Sequence, residues 1–324
     1  MTVLCLNAGS TSLKLSAFRD GVRVASNQRD RLAEGGHAAA LFEMLADLPR
    51  PRAAVHRIVH GGDRAEPALL DDATLTALDA LAPLAPLHNP PALAAVRALT
   101  RIDPDLPQIA VFDTAFHATM PEVERALPLP EEERARGLRR YGFHGISYSG
   151  VAAALDPLPG RLLALHLGGG CSACAIVGGR SVATTMGYSP ASGLPMGTRA
   201  GDLDPMAVLD LARRHGADGA AEILNRRSGL LALGGSADMR TLRAEGRGAA
   251  VEYLVHWTLR QCGALIAAMR GLDAVAFTGG IGENDASFRE AVMEGLAWTG
   301  CRAAHVVPAD EEATMLRLAR PLLA

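Results

Sequence analysis

The chain has 324 residues, of which 49% are hydrophobic and 21% are charged, and its formal net charge at pH 7 is −3. This composition is typical of a globular protein with sizeable cores, and the length favours two domains over one. The negative net charge disfavours a basic nucleic-acid-binding surface, so we expect no nucleic-acid partner. Lys14 is the only lysine, so other fixed positive charge must come from arginine, histidine or a metal.

The start of the chain and its cysteines predict a reduced, cytoplasmic protein. Met1 leads almost directly into an apolar strand, without the basic segment and apolar core of a signal peptide. The uncharged residues 162–179 are nearly long enough to span a membrane, but their glycines and His166 make a poor spanning helix, and we expect no membrane partner. Cys171 and Cys174 form a CxxC pair without a second pair, so we predict no zinc or redox site.

The first predicted element is a β-hairpin. Residues 3–18 combine an apolar strand, a small polar turn and an alternating strand, and the chain turns again at Asp20 and Gly21. Short apolar runs bounded by glycine are typical of hairpins rather than helices. We therefore expect Asn7 and Gly9 to lie where the first strand of this hairpin enters its turn.

Helices and strands then alternate. The hydrophobic pattern predicts helices over residues 38–48, 69–84 and 92–100 and strands over residues 53–59 and 108–112. The prolines within residues 85–91 predict a rigid loop that carries His88. Polar residues, including Asp113, follow the strands, and the carboxyl ends of strands are the usual place for sites in open α/β sheets.

A second hairpin is predicted over residues 161–179, around Gly168–Gly170. Glycine is needed where backbone amides must come close to a ligand, because a side chain would hold a phosphate away. In this hairpin His166 takes the place of Asn7, and Gly168 that of Gly9. The repetition predicts two related halves that face one another across a cleft.

The remaining pattern adds an anion clamp and a further glycine loop. Arg199 stands between two glycines beside Asp202, which suits a clamp for an anion on an irregular backbone. Helices are predicted from residue 147, over residues 204–214, over residues 251–269 and after residue 308. Strands are predicted over residues 274–277 and 304–307, and a loop over residues 234–240. Residues 278–284 form a glycine loop that enters a helix, which predicts a nucleotide-binding site there.

Nine motifs, spread nearly from end to end and in the family's order, make the chain resemble the acetate kinase family of the sugar kinase, Hsp70 and actin superfamily. They are LNAGSTSLK, HRIVHGG, LAPLHNPP, VFDTAFHATMP, YGFHGIS, HLGGG, MGTRAGD, FTGGIGEN and VVPADEE. The resemblance implies an α/β class and a two-domain actin-like ATPase (ribonuclease H-like) fold with duplicated βββαβαβα cores. It places residues 1–116 and 313–324 in an N-terminal domain and residues 117–312 in a C-terminal nucleotide-binding and dimerisation domain. It also implies a cytoplasmic homodimer that binds ATP or ADP in the cleft.

The resemblance further assigns roles to residues that match the family's motifs. Catalysis falls to Asp113, His144, Arg199 and Arg57, and the substrate would contact Arg57, Val59, Leu87, Phe143 and Pro190. The nucleotide would contact Lys14, His166, Leu167, Gly168, Gly169, Gly170, Asp238, Met239, Arg240, Gly279, Gly280, Ile281, Gly282 and Asn284. Asn7 and Glu311 would serve Mg²⁺ (or Mn²⁺), with Asp113 close to its water shell. Glu311 and Glu283 could instead only favour the dipoles of the helices in which they lie.

The chain departs from the family's pattern at a few positions. Gly169 stands where asparagine is usual, Ala200 where serine is usual and Met239 where an aromatic residue is common, and the segment between Val24 and His56 is shorter.

The leading interpretation is an acetate kinase that forms acetyl phosphate and ADP from ATP and acetate by direct, in-line, Mg²⁺-dependent transfer. A propionate kinase, or a nucleotide-binding sensor of the same fold with weakened catalysis, remain the alternatives. A sugar kinase would need polar residues for hydroxyl groups where this chain offers Val59, Leu87, Phe143 and Pro190.

Overall fold

A computed structural model describes residues 1–9, 12–33, 36–46 and 48–323. Ser10 and Thr11 of the predicted first turn, and Asp47 of the helix predicted over residues 38–48, lie outside the described residues. The strands are β1 (Thr2–Ala8), β2 (Ser12–Arg19), β3 (Val22–Asp30), β4 (Ala53–Ile58), β5 (Ala68–Leu69), β6 (Gln108–Phe112), β7 (Arg161–Leu167), β8 (Cys171–Val177), β9 (Arg180–Thr184), β10 (Ala274–Thr278) and β11 (Ala304–Val306).

The described part of the chain also forms α-helices between and after these strands. They are α1 (His37–Leu45), α2 (Asp72–Ala80), α3 (Asn89–Ile102), α4 (Glu122–Arg125), α5 (Glu131–Ala135), α6 (Gly145–Ala154), α7 (Pro205–Arg226), α8 (Gly229–Gly234), α9 (Met239–Ala244), α10 (Gly248–Met269), α11 (Gly279–Asn284), α12 (Ala286–Gly295) and α13 (Glu311–Ala319). Within the described ranges, no helix combines the length and the apolar character needed to cross a bilayer.

The chain forms two compact units. Unit 1 comprises Met1–Ala118, His144–Gly150 and Asp310–Ala324, and unit 2 comprises Thr119–Phe143 and Val151–Ala309. Each unit contains a sheet. In the described residues, unit 1 has the six-stranded order β3-β2-β1-β4-β6-β5, and unit 2 has the five-stranded order β11-β10-β7-β8-β9.

The two sheets repeat one topology. In unit 1, β1 pairs antiparallel with β2 and parallel with β4, and β4 pairs parallel with β6. In unit 2, β7 pairs antiparallel with β8 and parallel with β10, and β10 pairs parallel with β11. The strands β1 and β7 also share one order of buried and half-buried residues, so Asn7 and His166 occupy the same place. The predicted duplication of the core is therefore confirmed.

The C-terminal helix α13 packs on β1, β4 and β6 of unit 1. Its buried residues Glu312, Met315, Leu316 and Ala319 recur at helical spacing. The last three join a core that also includes Val55, while the start of the helix carries Glu311. This packing explains how residues near the end of the sequence come to lie beside β1.

Two predicted element boundaries were wrong near the prolines. The helix predicted over residues 69–84 is limited mainly to α2, where Asp71 caps the first turn by accepting a hydrogen bond from the Thr74 amide at 2.7 Å. Residues 68–69 form β5 instead. The predicted loop over residues 85–91 ends in the first turn of α3, because prolines at this position lose no helical hydrogen bond.

In unit 2, helices extend further than the sequence pattern predicts. Asp238 caps α9, so Met239 and Arg240 lie in a helix rather than in the predicted loop. α7, in contrast, is interrupted by a non-helical residue, Gly216, whose φ is +72°. Its first part therefore ends close to the predicted limit, and a second helical part runs to Arg226. The glycine loop after β10 is itself the short helix α11.

Candidate active site

Arg57, at the end of β4, is the centre of a charged cluster in unit 1. Its Nη2 lies 2.6 Å from Asp113 Oδ2, and its Nε lies 3.1 Å from each oxygen of the same carboxylate. Its Nη1 donates to Asn7 Oδ1 at 3.1 Å and lies 3.3 Å from Glu311 Oε2. The guanidinium therefore brings together three predicted site residues that are far apart in sequence.

Asn7 and Lys14, paired in register across β1 and β2, connect this cluster to the start of α13. Asn7 Nδ2 donates to Glu311 Oε2 at 2.8 Å, and Lys14 Nζ lies 2.7 Å from Glu312 Oε2. The N-cap of α13, Asp310, accepts a hydrogen bond from the Ala313 amide at 3.0 Å, which fixes where the helix and its two glutamates begin.

Burial and charge determine the electrostatics of the cluster. Burial alone would lower the pKa of Arg57, but the negative charges of Asp113, Glu311 and Glu312 outweigh it and raise that pKa above its ordinary value. Burial raises the pKa of the Asp113 carboxyl, although the Arg57 guanidinium opposes this shift. The guanidinium therefore stays positively charged at any physiological pH.

Glu312 is a member of the cluster that the sequence motifs did not single out. Its side chain is only 1% exposed and is paired with Lys14. The signal was available, since Glu312 falls on the buried stripe of α13 with Met315, Leu316 and Ala319. A carboxylate on an apolar stripe needs a partner, because an unpaired buried charge is costly.

His144 lies beside the backbone of Asp113. The Gly145 amide donates to the Asp113 carbonyl at 2.9 Å, and a side chain at Gly145 would come within 2.2 Å of that oxygen. His144 itself has a φ of +60°, a left-handed conformation that few non-glycine residues adopt. Such strain clusters at functional sites, and here it accompanies a histidine that is 9% exposed.

Unit 2 contains a cavity of about 980 Å³ at the ends of β7 and β10. Eight residues predicted to contact the nucleotide line it: Gly168, Gly169, Asp238, Met239, Arg240, Gly280, Ile281 and Asn284. Arg243 and Asp285, which the sequence analysis did not single out, also line it and form a bidentate ion pair at 2.7 and 2.8 Å. Small-molecule sites are typically concave, with volumes of about 300–1,000 Å³.

Two glycine segments approach each other closely at this cavity. A side chain at Gly279, whose φ is +79°, would come within 2.8 Å of the Leu167 carbonyl oxygen. The Gly280 amide lies 3.7 Å, and His166 Nε2 4.0 Å, from the point where a Cβ of Gly168 would stand. A backbone amide, an imidazole and the Gly170 carbonyl oxygen, also at 3.7 Å, therefore surround this space. The amide and the imidazole are groups that suit a phosphate.

Glu283 binds both the start of α11 and a segment outside this helix. Its Oε1 accepts hydrogen bonds from the Gly279 amide at 3.1 Å and from the Ala309 amide at 2.9 Å. The carboxylate thus ties the glycine loop to the segment that precedes α13.

Arg199 lies on a loop of unit 2 that tight glycine turns hold. Its Nη1 donates to the Pro190 carbonyl at 3.1 Å. Asp202 accepts from the Gly193 amide at 2.7 Å and from Gln261 of α10 at 2.8 Å. These bonds anchor the loop to a long helix, so the clamp predicted at Arg199 rests on an ordered backbone.

The residues predicted to wall the acyl group are divided between the units. Val59 and Leu87 belong to unit 1, and Phe143 and Pro190 to unit 2. Val59 and Phe143 are 4% and 1% exposed. Their common pocket remains a prediction.

The cysteines of the CxxC pair are buried thiols. Burial raises the pKa of Cys171 to about 11 and that of Cys174 to about 12, so both stay protonated at neutral pH. Protonated, buried thiols are poor nucleophiles and poor metal ligands.

Comparisons with known proteins agree with the fold and the motifs. Residues 25–314 match the Acetokinase family. An acetate kinase from Streptomyces coelicolor is 42% identical over 348 residues, which cover 92% of this chain and 85% of that protein. The crystal structure of Porphyromonas gingivalis acetate kinase is 31% identical with a TM-score of 0.86 and covers 100% of both chains. A propionate kinase from Francisella tularensis is 29% identical with a TM-score of 0.87, over 98% of each chain.

These similarities and the duplicated sheets confirm the expected fold class, the actin-like ATPase fold. The family match covers most of the sequence and includes Arg57, Asp113, His144, Arg199 and Glu311. The chain therefore belongs to the acetokinase family.

Proposed function

We propose that this protein is an acetate kinase, which transfers the terminal phosphoryl group of ATP to acetate and gives acetyl phosphate and ADP. The observation that carries the proposal is the cluster in unit 1, where Asn7, Arg57, Asp113 and Glu311 are joined by hydrogen bonds and ion pairs. It occurs in a chain whose relatives are named acetate kinase.

The chemistry of the reaction matches the residues proposed for the site. A carboxylate acceptor, with a pKa of roughly 4, is already ionised at neutral pH, so no general base is required. Phosphoryl transfer depends on in-line positioning and on neutralising charge on the phosphoryl oxygens. Arg57 and Arg199 supply planar donors for the carboxylate and the phosphoryl group, and His144 acts as a hydrogen-bond donor rather than as a base.

Mg²⁺ or Mn²⁺ fits the donor set of unit 1. Among the described residues, no three or more His, Cys, Asp or Glu are grouped to hold a metal ion on their own. Mg²⁺ usually keeps several waters and binds through one or two carboxylates together with phosphates. This matches Glu311, which is 14% exposed and accepts a hydrogen bond from the Asn7 side-chain nitrogen at 2.8 Å. When bound, the ion would neutralise charge on the phosphate chain.

The nucleotide is proposed to bind in the cavity of unit 2. Its phosphates would lie against the backbone at Gly169 and Gly280, which line the cavity and have open space where a Cβ would stand. Its base and ribose would lie toward Asp238, Met239 and Ile281. Lys14 and His166 would contact the phosphates.

Propionate kinase is the second candidate, because the propionate kinase structure is as similar as the acetate kinase structure. A pocket distinguishes one methylene by only about 1–3 kcal/mol, so a small change in its wall changes the preferred acid. A sensor with weakened catalysis is disfavoured, because Arg57, His144 and Arg199 are all retained.

We also propose that the protein is a cytoplasmic homodimer that forms through unit 2. We further propose an N-terminal domain of residues 1–116 and 313–324 and a C-terminal domain of residues 117–312. Exposed apolar side chains around α7 support this assembly: Leu203 is 46%, Met206 59% and Leu209 48% exposed. Contiguous exposed apolar surface commonly marks a protein interface. Light scattering on the purified protein tests the dimer.

An acyl-hydroxamate assay tests the function. The protein is incubated with MgATP, hydroxylamine and acetate, propionate or butyrate, and a reaction without metal and one with Arg199→Lys serve as controls. We expect acyl hydroxamate with acetate at the highest kcat/KM. A higher kcat/KM with propionate would favour the second candidate, and no product with any acid would contradict both.

A further inference from the structure

His37, the first residue of α1, is a buried histidine that reaches the first hairpin. It is 3% exposed, and its Nε2 lies 2.8 Å from the carbonyl oxygen of Gly9. Because a carbonyl oxygen can only accept, Nε2 carries the hydrogen and donates it.

Both backbone polar groups of Gly9 are hydrogen-bonded. Its amide donates to the Ser12 carbonyl at 2.8 Å, while its own carbonyl accepts from His37. A side chain at Gly9 would come within 2.7 Å of Ser12 Oγ, so a larger residue there would require Ser12 to move. The His37 bond adds an anchor from α1 to the start of this turn.

The same hairpin positions two groups of the charged cluster. Asn7 is two residues before Gly9, and Lys14 is two residues after Ser12. Asn7 binds Glu311 and Arg57, as described above. Asn7 and Lys14 stand opposite each other in the pairing of β1 and β2, at the end nearest the Gly9 bonds. A displacement of about 1 Å at a catalytic group can cost about 10²-fold in rate.

The helix that presents His37 is firmly packed. Residues Ala40, Leu41 and Met44 are buried and follow His37 at helical spacing. They belong to a core of unit 1 that also contains Leu13 of β2. His37 thus occupies an otherwise apolar stripe, where an aliphatic residue would pack without any need for a partner.

We propose that His37 is a positioning residue, which orients the Gly9 peptide and so holds Asn7 and Lys14 in place for phosphoryl transfer. The proposal rests on the proposed acetate kinase function. His37 exchanges no proton in this role and touches no reacting atom. The alternative is a histidine that only stabilises the core.

The test compares His37→Ala and His37→Leu with His37→Gln, whose side-chain amide can still donate to Gly9. His56→Ala is the matched control, because His56 is also buried and has one hydrogen bond of 2.8 Å, to Gln108, away from the hairpin turn. We expect His37→Ala and His37→Leu to lower kcat at least ~10-fold, because catalytic groups would be slightly misplaced. The KM for ATP should change less than about 3-fold. His37→Gln should recover most of kcat, and His56→Ala should lower the melting temperature without lowering kcat.

Hydrogen exchange of a peptide that contains Gly9 gives a readout besides activity. It should exchange faster in His37→Leu than in wild type, and at the wild-type rate in His37→Gln and His56→Ala. If the wild type makes no acyl phosphate, the proposed function fails, while exchange still tests the His37 bond. Unchanged exchange, retained kcat in His37→Leu, no recovery in His37→Gln, or an equal loss of kcat in His56→Ala would each overturn the positioning role.

Discussion

Arg57 donates hydrogen bonds to both oxygens of Asp113, and the shortest of them, from Nη2 to Oδ2, is 2.6 Å. The Asp113 side chain is 1% exposed and that of Arg57 is 16% exposed, so the carboxylate is buried and the guanidinium mostly so. Removing one partner of a buried pair typically costs about 3–5 kcal/mol, because the other charge is left uncompensated. Arg57 therefore stabilises unit 1, and in the proposed function its guanidinium would also hold the substrate.

Because Arg57 forms this pair, its substitution and that of Arg199 should differ in their effect on stability. We expect Arg57→Lys and Arg199→Lys each to lose at least ~10²-fold in kcat/KM, since an ammonium cannot reproduce a planar fork of donors. Arg57→Lys should also lower the melting temperature, by about 2–4 °C for each kcal/mol lost. Arg199→Lys should melt close to wild type. Enzyme kinetics and melting curves on the same preparations check both expectations. Arg97→Lys is the control, because Arg97 forms an exposed ion pair with Asp79.

Activity that survives in either variant would contradict the clamp. So would an Arg199→Lys variant whose activity falls only together with its melting temperature.

The second prediction concerns the metal requirement. Glu311→Gln should raise the Mg²⁺ concentration needed for half-maximal rate and lower kcat, because a neutral amide binds a divalent cation weakly. Glu312→Gln, which leaves the buried position filled, should not change the Mg²⁺ midpoint, since Glu312 pairs with Lys14 at 2.7 Å. A Mg²⁺ titration of the initial rate measures both. Equal shifts in the two variants would point to a helix-start role for both glutamates.

The third prediction tests the nucleotide cavity with two glycines. An added Cβ would have no atom within 4 Å at Gly280, which lines the cavity, or at Gly263, which lies in α10. Both alanine variants should fold, because alanine favours a helix over glycine by about 0.5–1 kcal/mol. Only Gly280→Ala should weaken ATP binding, by ~10-fold or about 1.4 kcal/mol in titration calorimetry. Equal ATP affinities would place the nucleotide elsewhere.

Acid selection gives a fourth prediction. If Val59 lies against the acyl group, Val59→Ala should improve propionate or butyrate relative to acetate by ~10-fold in kcat/KM, the scale of one methylene. The buried position of Val59, 4% exposed, means that the variant also needs a melting curve. An unchanged ratio between the acids in a folded variant would remove Val59 from the pocket.

The fifth prediction concerns pH and His56. Burial lowers the pKa of His56 to about 4, although its hydrogen bond to Gln108 opposes the shift. The unfolded chain, with a histidine pKa of about 6.5, binds more protons between these values, so the free energy of unfolding falls as pH decreases from about 6.5 to 4. The loss should be about 1.4 kcal/mol per pH unit, roughly 3 kcal/mol in all. Denaturant unfolding at pH 7, 6, 5 and 4 should show this loss in wild type but not in His56→Gln, and parallel curves would contradict it.

Sequence reasoning succeeded where a local pattern carries the physics. The two hairpins were predicted from short apolar runs and glycines, and the equivalence of Asn7 and His166 from their places in those runs. It failed at the limits of α2 and α3, where capping by Asp71 and the tolerance of prolines in a first turn decide the boundary. Helical periodicity could also have shown that Glu312 is buried, since it shares a stripe with Met315 and Leu316.

Side-chain partners over long sequence distances required the tertiary structure. Nothing local to Glu283 indicates that it accepts from the Ala309 amide, and nothing local to His37 indicates that it donates to Gly9. Such contacts depend on the register of strands and the packing angle of helices. Spacing within one segment does not encode these features.

By itself, the sequence determined the fold class, the family and the residue types available for phosphoryl transfer, because these follow from periodicity, glycine placement and motifs. Only the tertiary structure decided that Arg57 is paired with Asp113, that Asn7 binds Glu311 and that Lys14 binds Glu312. The physical reason is that a buried charge must be compensated by whichever group the fold brings within hydrogen-bonding distance. That group lies as far away as residues 311 and 312, at the other end of the chain from Asn7 and Lys14.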